Sequence, residues 1–289
     1  MLAALWPSLK RWRTIGIGPV GLVFGFRRRV RVTRGNVCRT APSDKAETGP
    51  QRGSAPTGGL AVVVGVGPGF GYALATRLAR EGYRLVLVTR DAAALSPLVD
   101  QLADLCACVA AVGCDATNEG QVAALFERVQ AEFGTPSLVV YGIQDFGPGE
   151  VLDITAAAFE ASWRHNCFGA FLISRAAGNA MRKQKAGSII LVGSTSSIHG
   201  RSGHLNLAVG KFGQRALAQV LAQELWPLGI HVAHVIIDAD IQEGERQAHP
   251  QADPDHIAYS VLAVHHQPRS AWTSELDLRP ADERFWQHC

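Results

Sequence analysis

The sequence predicts an α/β fold in which one doubly wound parallel sheet carries helices on both faces. Short runs rich in Val, Ile and Leu alternate with segments of helical periodicity from Leu60 onward. These runs are apolar at nearly every position, which is typical of parallel strands buried on both faces. The chain has 289 residues, enough for one large domain with a substantial core. Right-handed crossovers then place the connecting helices on both sides of the sheet.

The predicted elements follow one another in regular order. The strands are expected at Leu60–Val64, Arg84–Thr89, 107–112, 137–141, 188–192 and His231–Ile237, with an edge strand within 272–278. The helices are expected at 72–81, 92–105, 119–133, 156–183, 205–226 and 255–265. Because ligands of such sheets bind beyond the carboxyl ends of the strands, functional residues are expected just after each strand.

Charge divides the chain into an extension, residues 1–58, and a folded domain, residues 59–289. The extension holds eleven Lys and Arg residues against Asp44 and Glu47, whereas the whole chain has a net charge of only +3. The folded domain is therefore mildly acidic, which argues against nucleic-acid binding. The extension has three interpretations: a disordered segment and linker, a targeting segment, or a membrane-associated segment. Its apolar run, residues 14–26, falls short of the ~20 residues of a membrane span.

The six cysteines form neither a disulfide framework nor a zinc-ligand pattern. We therefore expect no metal site and a cytoplasmic protein, unless the extension is a targeting segment.

A glycine-rich segment lies between the first predicted strand and the first predicted helix. It reads Gly65-Val66-Gly67-Pro68-Gly69-Phe70-Gly71. Glycines in this position allow a tight turn and let the backbone approach a pyrophosphate at the helix N-terminus. The segment therefore predicts a Rossmann-type dinucleotide site, with a purely structural turn as the alternative.

The spacing of these glycines resembles the cofactor loop of the short-chain dehydrogenases/reductases, and the resemblance covers residues 59–280. It implies a single Rossmann domain that binds NAD or NADP. Gly65, Gly67, Gly69, Phe70 and Gly71 are then the residues of this loop expected to contact the cofactor.

Three further positions are expected to contact the cofactor. Arg90 follows the second strand, where an arginine can bind the 2′-phosphate of NADP, so NADP(H) is favoured over NAD(H) although Asp91 is adjacent. Asp115 matches the aspartate that relatives place beside the adenine, or it is an ordinary turn residue. Ile241 lies in the segment where relatives contact the nicotinamide amide.

The resemblance also implies a catalytic group of Asn, Ser, Tyr and Lys. Asn166, Ser194 and Lys211 match the first, second and fourth members. The tyrosine of relatives lies four residues before the lysine and 13 after the serine, and both spacings lead to Leu207. The chain therefore resembles a divergent subgroup that lacks the active-site tyrosine. A positioned acid or base contributes typically ~10²–10⁴ in rate, so its loss is a serious one.

Four residues are candidates to replace the missing hydroxyl: His199, His204, Tyr141 and Tyr259. Each also has an ordinary structural interpretation as a loop, core or lid residue.

Two other segments depart from the family pattern. Residues 141–144 read Tyr-Gly-Ile-Gln where relatives carry Asn-Asn-Ala-Gly. Asp238 and Asp240 replace a Pro-Gly turn, either as turn residues or as part of an altered nicotinamide pocket.

The sequence thus predicts an NADP(H)-dependent oxidoreductase with an atypical site that acts on an unknown carbonyl or alcohol. The alternative is a catalytically inactive nucleotide-binding protein that acts as a sensor or oligomer partner, and a membrane-tethered scaffold is a third hypothesis. Relatives associate through two long helices, so a homodimer or homotetramer is expected, without nucleic acid and without a membrane span.

Overall fold

The computed structural model describes residues 30–33, 36–39, 58–106, 108–241 and 251–282. The strands are β1 Val30–Thr33, β2 Asn36–Arg39, β3 Leu60–Val64, β4 Arg84–Thr89, β5 Cys108–Gly113, β6 Leu138–Tyr141, β7 Ser188–Ser194, β8 His231–Ile237, β9 Asp240–Ile241, β10 Gln251–Ala252 and β11 Glu275–Leu278. The helices are α1 Phe70–Arg80, α2 Ser96–Leu102, α3 Glu119–Glu132, α4 Ala156–Trp163, α5 Gly169–Met181, α6 Leu205–Leu225 and α7 Pro254–His265.

The main sheet has the strand order β1-β2-β5-β4-β3-β6-β7-β8-β11. All pairs from β5 to β11 are parallel, so the predicted doubly wound parallel sheet is confirmed. The chain leaves β3 in one direction to build β4 and β5 and later returns to its other side with β6. The carboxyl ends of β3 and β6 therefore flank the topological switch point, where ligands of such sheets bind.

Two apolar layers hold the sheet, and alternate residues of each strand point into opposite layers. In β3, Ala61 and Val63 pack into the layer of α1, α2 and α7, whereas Leu60, Val62 and Val64 pack into the layer of α3, α5 and α6. Because both faces are buried, every position of β3 must be apolar, and this explains why its sequence shows no polar alternation.

The structure departs from the expected elements in three places. The predicted helix 156–183 is divided by a π-helical segment, Arg164–Phe168. β1 and β2 form an antiparallel hairpin that pairs with β5, although no structure was expected within residues 1–58. Cys108 takes part in a disulfide bond, which the expected absence of a disulfide framework did not anticipate. The interpretations of the rest of the extension lie outside the described residues.

No helix among the described parts of the chain is both long and apolar enough to cross a membrane.

Candidate active site

A cleft of about 1210 Å³ opens at the carboxyl ends of the parallel strands. The predicted site residues that line it are Gly65, Gly67, Phe70, Gly71, Arg90, Asp115, Ser194, Leu207 and Ile241. Three others do not line it: Gly69, Asn166 and Lys211 lie behind its wall. The fold therefore brings most of the residues singled out in the sequence to one place, as expected for positions that follow parallel strands.

The glycine-rich loop joins β3 to α1 by a turn that only glycine accommodates well. Gly65 and Gly69 have φ values of 86° and 75°. A Cβ atom on Gly65 would lie 2.7 Å from Ile143 Cγ1. No side chain caps the N-terminus of α1, so its first N–H groups remain available at the wall of the cleft. This is the arrangement that binds the phosphates of a nucleotide.

Gly67 differs from its neighbours because nothing lies within 4 Å of a Cβ atom built on it. Its freedom from contacts leaves the backbone exposed to a ligand in the cleft. Packing therefore does not explain the absence of a side chain at this position.

Arg90 lies directly after β4, exposed at the edge of the cleft. Its side chain makes no ion pair or hydrogen bond with another described residue, so the guanidinium is available to an anionic ligand.

Asp115 follows β5 and holds a turn as well as lining the cleft. Its carboxylate accepts hydrogen bonds from Thr117 N at 2.9 Å and Thr117 Oγ1 at 2.8 Å. Burial would raise the pKa of Asp115, but these hydrogen bonds and the charges of His165 and Arg90 outweigh it and lower the pKa. Both interpretations of Asp115, an adenine contact and a turn residue, remain compatible with this geometry.

Ser194 ends β7 at the wall of the cleft. Its N–H donates to Ser197 Oγ at 3.1 Å, which closes a 3₁₀ turn over Thr195–Ser197. The Ser194 hydroxyl completes a capping box by accepting from the backbone N–H of Ser197, and its own O–H has no acceptor among the described residues. Because an unsatisfied buried hydroxyl costs about 1–3 kcal/mol, it is a natural place for a polar atom of a ligand.

Leu207 lines the same cleft from the first turns of α6 and is only 4% exposed. It lies one helical turn before Lys211, on the same face of the helix. The position at which relatives carry their tyrosine is therefore part of the cleft wall, but an apolar part.

Lys211 is buried, and its ammonium donates to Val192 O at 2.8 Å and to Ile143 O at 3.1 Å. Burial lowers its pKa to about 7. These two carbonyls lie at the carboxyl ends of β7 and β6. Lys211 thus links the two strands next to the cleft.

Asn166 lies in the π-helical segment and is fully buried. Its Nδ2 donates to Asp145 O at 2.8 Å and to Ser162 O at 3.0 Å, and its Oδ1 accepts from Asp145 N at 3.1 Å. The side chain thus holds the loop after β6 through both the N–H and the C=O of Asp145. π-Bulges occur frequently at functional sites, and this one places the side-chain amide of Asn166 within hydrogen-bond distance of the loop that contains Asp145.

His165 and Asp145 form a pair in the cleft that sequence reasoning missed. His165 Nδ1 lies 3.2 Å from Asp145 Oδ2, and both side chains line the cleft. Asn166 holds the backbone of Asp145 and therefore positions its carboxylate toward His165. The signal in the sequence was a histidine directly before Asn166, but its partner lies 20 residues earlier.

Among the four candidate replacements for the tyrosine, only His204 lines the cleft. Tyr141 is buried and donates to His165 O, and Tyr259 lies on α7 above Arg77. His199 is half-buried outside the lining. The ring of His204 stacks on Phe146 with centroids 4.8 Å apart.

Asp238, at the end of β8, is buried and is engaged by two partners, Thr195 Oγ1 and the guanidinium of Arg279. Arg279 pairs also with Asp277 at 2.9 Å. These contacts give Asp238 a structural role in closing the wall of the cleft against the segment after β11. Asp240 remains exposed at the rim.

A family model for the short chain dehydrogenases matches residues 59–247. A curated "uncharacterized oxidoreductase" of Staphylococcus aureus (strain N315) is 28% identical over 225 residues, which are 76% of this chain and 96% of the relative. The D-threitol dehydrogenase of Mycolicibacterium smegmatis is 28% identical over 177 residues, 61% of this chain and 67% of the relative.

Two solved structures share both sequence and fold with this chain. A short-chain dehydrogenase from Rhodopseudomonas palustris is 31% identical with a TM-score of 0.69, and the match covers 77% of this chain and 98% of the other. A metagenomic short-chain oxidoreductase in complex with NADP is 26% identical with a TM-score of 0.70, and the match covers 80% of this chain and 100% of the other.

Proposed function

This chain belongs to the short-chain dehydrogenase family, and we propose that it is an NADP(H)-dependent oxidoreductase that acts on a carbonyl or alcohol group. The observation that carries the proposal is the cleft itself. It joins the uncapped N-terminus of α1, an arginine without an ion pair to any described residue at the adenosine end, and a hydroxyl whose O–H has no acceptor in the described part of the chain at the other end.

Each end of this cleft has a chemical role in the proposal. The N–H groups of the glycine-rich loop bind the pyrophosphate, and Arg90 binds the 2′-phosphate that distinguishes NADP from NAD. The complex of a related structure with NADP supports the choice of cofactor. Ser194 Oγ donates a hydrogen bond to the substrate oxygen, and Lys211 holds the strand ends that carry this arrangement.

The experiment is a titration of the purified full-length chain with NADPH and, separately, NADH, followed by nucleotide fluorescence. We expect saturable binding of both, with NADPH bound at least tenfold more tightly. Equal affinities would overturn the preference for NADP(H), and absence of binding would overturn the oxidoreductase itself.

A second candidate function is that of an inactive nucleotide-binding member of the family. It is favoured by Leu207, which offers no proton, and by Lys211, which is held by two main-chain carbonyls. A protein that binds NADPH with normal affinity but does not oxidise it with any member of a broad panel of aldehydes and ketones would support this candidate.

We also propose that the chain forms a homo-oligomer through α5 and α6. Four apolar side chains on these helices are between 37% and 52% exposed: Phe171, Val209, Phe212 and Val220. Such a set on adjacent helices is typical of an interface. Light scattering should give the mass of a dimer or tetramer, and a monomeric mass at micromolar concentration would contradict the proposal.

A further inference from the structure

We infer that the substrate of this cleft carries a carboxylate and that Arg201 binds it. The inference rests on the proposed function, because it assigns a substrate class to the reaction end of the same cleft. Arg201 lies in the loop between the Thr195–Ser197 turn and α6, and its side chain lines the cleft.

Arg201 is a half-buried cation that has no counter-charge among the described residues. Its guanidinium makes no ion pair or hydrogen bond with a described residue, although its backbone carbonyl accepts from His204 N at 3.2 Å. The guanidinium group of an arginine is always charged in proteins, so this cation needs an anionic partner or water. A partly desolvated guanidinium with five free donors is therefore a site for an anion.

The acidic residues of the cleft do not serve as that anion. Asp238 is paired with Arg279, Asp145 lies against His165, and Asp115 is used by Thr117. Asp240 and Asp282 are exposed at the rim, and neither forms an ion pair with Arg201. The uncompensated positive charge therefore faces the space that a substrate would fill.

The surroundings of Arg201 indicate what accompanies the carboxylate. Phe146, 43% exposed, stacks on His204 and gives the cleft an aromatic wall. Leu207 adds an apolar surface, and Ser194 Oγ offers a hydrogen bond to an oxygen atom. A planar or apolar acid that bears an oxo or hydroxyl group satisfies all of these features together.

His204 completes the recognition surface. Its Nδ1 lies 3.0 Å from Ser202 O, so this nitrogen carries the proton, and the stacking on Phe146 fixes the plane of the ring. Nε2 is then an acceptor that can take a hydrogen bond from a hydroxyl group of the substrate, while Arg201, three residues earlier in the same loop, supplies the donors to the carboxylate.

A single cation beside an aromatic wall suits a carboxylate better than a phosphate, whose charge of nearly −2 calls for several cationic partners. The planar fork of an arginine matches the two oxygens of a carboxylate, which is why this anion is the one we assign.

The test uses benzoate and its neutral isostere benzamide as probes, titrated by calorimetry into the full chain with and without saturating NADP⁺. We expect benzoate to bind at least tenfold more tightly than benzamide. Arg201→Gln should remove this difference, while Arg80→Gln should preserve it. Arg80 is an exposed arginine at the C-terminal end of α1, away from the cleft.

Three results would overturn the inference. Benzoate could bind no more tightly than benzamide, both variants could lose the preference equally, or Arg201→Gln could weaken NADP⁺ and leave benzoate binding intact. The last result would assign Arg201 to the dinucleotide. A failure of the proposed function looks different, because NADP⁺ then fails to bind while the discrimination against benzamide persists in the nucleotide-free protein.

Discussion

The two ends of the cleft differ in how they are built. The end beside β3, β4 and β5 is built mainly from backbone, namely a glycine-rich turn and the uncapped start of α1, to which Arg90 adds a charged side chain. The end beside β6, β7 and β8 relies on side chains, and there the pattern has changed, with Leu207 in the wall and Lys211 held by carbonyls. Because recognition by backbone N–H groups depends on the fold and not on side chains, it tolerates substitutions that would remove a catalytic side chain.

The difference also explains why two interpretations of function coexist. A chain that keeps only the first end is a nucleotide-binding protein, whereas one that also keeps a working second end is an enzyme. Substitutions at each end can show separately whether nucleotide binding and catalysis are retained.

The largest effect is expected at Gly65. Gly65→Ala places a Cβ atom 2.7 Å from Ile143 Cγ1 at a φ of 86°, which should lower the free energy of unfolding by about 1–3 kcal/mol. It should also abolish NADPH binding. Urea denaturation and nucleotide fluorescence provide the two measurements.

Gly67→Ala is the matched control, since its Cβ atom would meet nothing within 4 Å. Stability should stay within about 0.5 kcal/mol of wild type, while NADPH binding weakens because the backbone is screened from the ligand. If both variants were equally unstable, the loop would be a structural turn and not a binding site.

Leu207→Tyr tests whether the other end of the cleft lacks only a proton donor. A hydroxyl at this position of the cleft wall supplies a proton donor, and we expect oxidation of NADPH by a panel of aldehydes and ketones to rise about 10²-fold or more. Leu207→Phe adds the ring without the hydroxyl and should stay at the wild-type rate. Equal rates in the two variants would show that shape, and not proton transfer, limits the reaction.

Lys211 should make stability depend on pH. Burial lowers the pKa of the folded lysine to about 7 from its ordinary value of 10.5, so the unfolded chain binds more protons between these values and stability rises with pH. From pH 7 to 8.5 the wild-type chain should gain about 2 kcal/mol relative to Lys211→Met, at about 1.4 kcal/mol per pKa unit.

Urea denaturation at the two pH values measures this difference. Both values lie below the pH range in which ionisation of the Cys114 thiol affects stability. Burial raises the pKa of that thiol to about 11. Parallel pH profiles of the two proteins would mean that Lys211 stays protonated in the folded chain.

The smallest effect is expected at Arg90, which is exposed. Arg90→Gln should weaken NADPH binding roughly tenfold and leave NADH binding unchanged, because only NADPH carries the 2′-phosphate. An equal loss for both nucleotides would indicate that Arg90 contacts the part that they share.

The sequence was sufficient for features whose cause is local. The apolar runs of β3 and β4 identify buried parallel strands, and the glycines between β3 and α1 identify the turn and the wall of the cleft. The significance of Leu207 comes from the family resemblance, which places a tyrosine four residues before the lysine, and residues four apart on a helix share a face.

Other features depended on contacts between residues distant in the chain. The family resemblance identifies Asn166 in the sequence, but not its contacts. Asn166 holds the backbone of Asp145, and Asp145 in turn pairs with His165, so the π-helical segment is joined to a loop about 20 residues earlier. The ion pair of Asp238 with Arg279 spans 41 residues. Neither pair has a spacing that a periodic pattern could reveal.

Lys211 and Arg201 show most clearly what cannot be predicted from the sequence. The resemblance singles out Lys211 but not Arg201. The sequence shows neither the burial of Lys211 against two carbonyls nor the place of Arg201 in the cleft wall, where it has no ion pair with a described residue. The sequence determined the fold and the glycine-rich loop, because these follow from periodicity and spacing along the chain, and the family resemblance identified Leu207 at the tyrosine position. Only the tertiary structure decided which charges are satisfied, because desolvation and ion pairing depend on what the fold brings within a few ångströms.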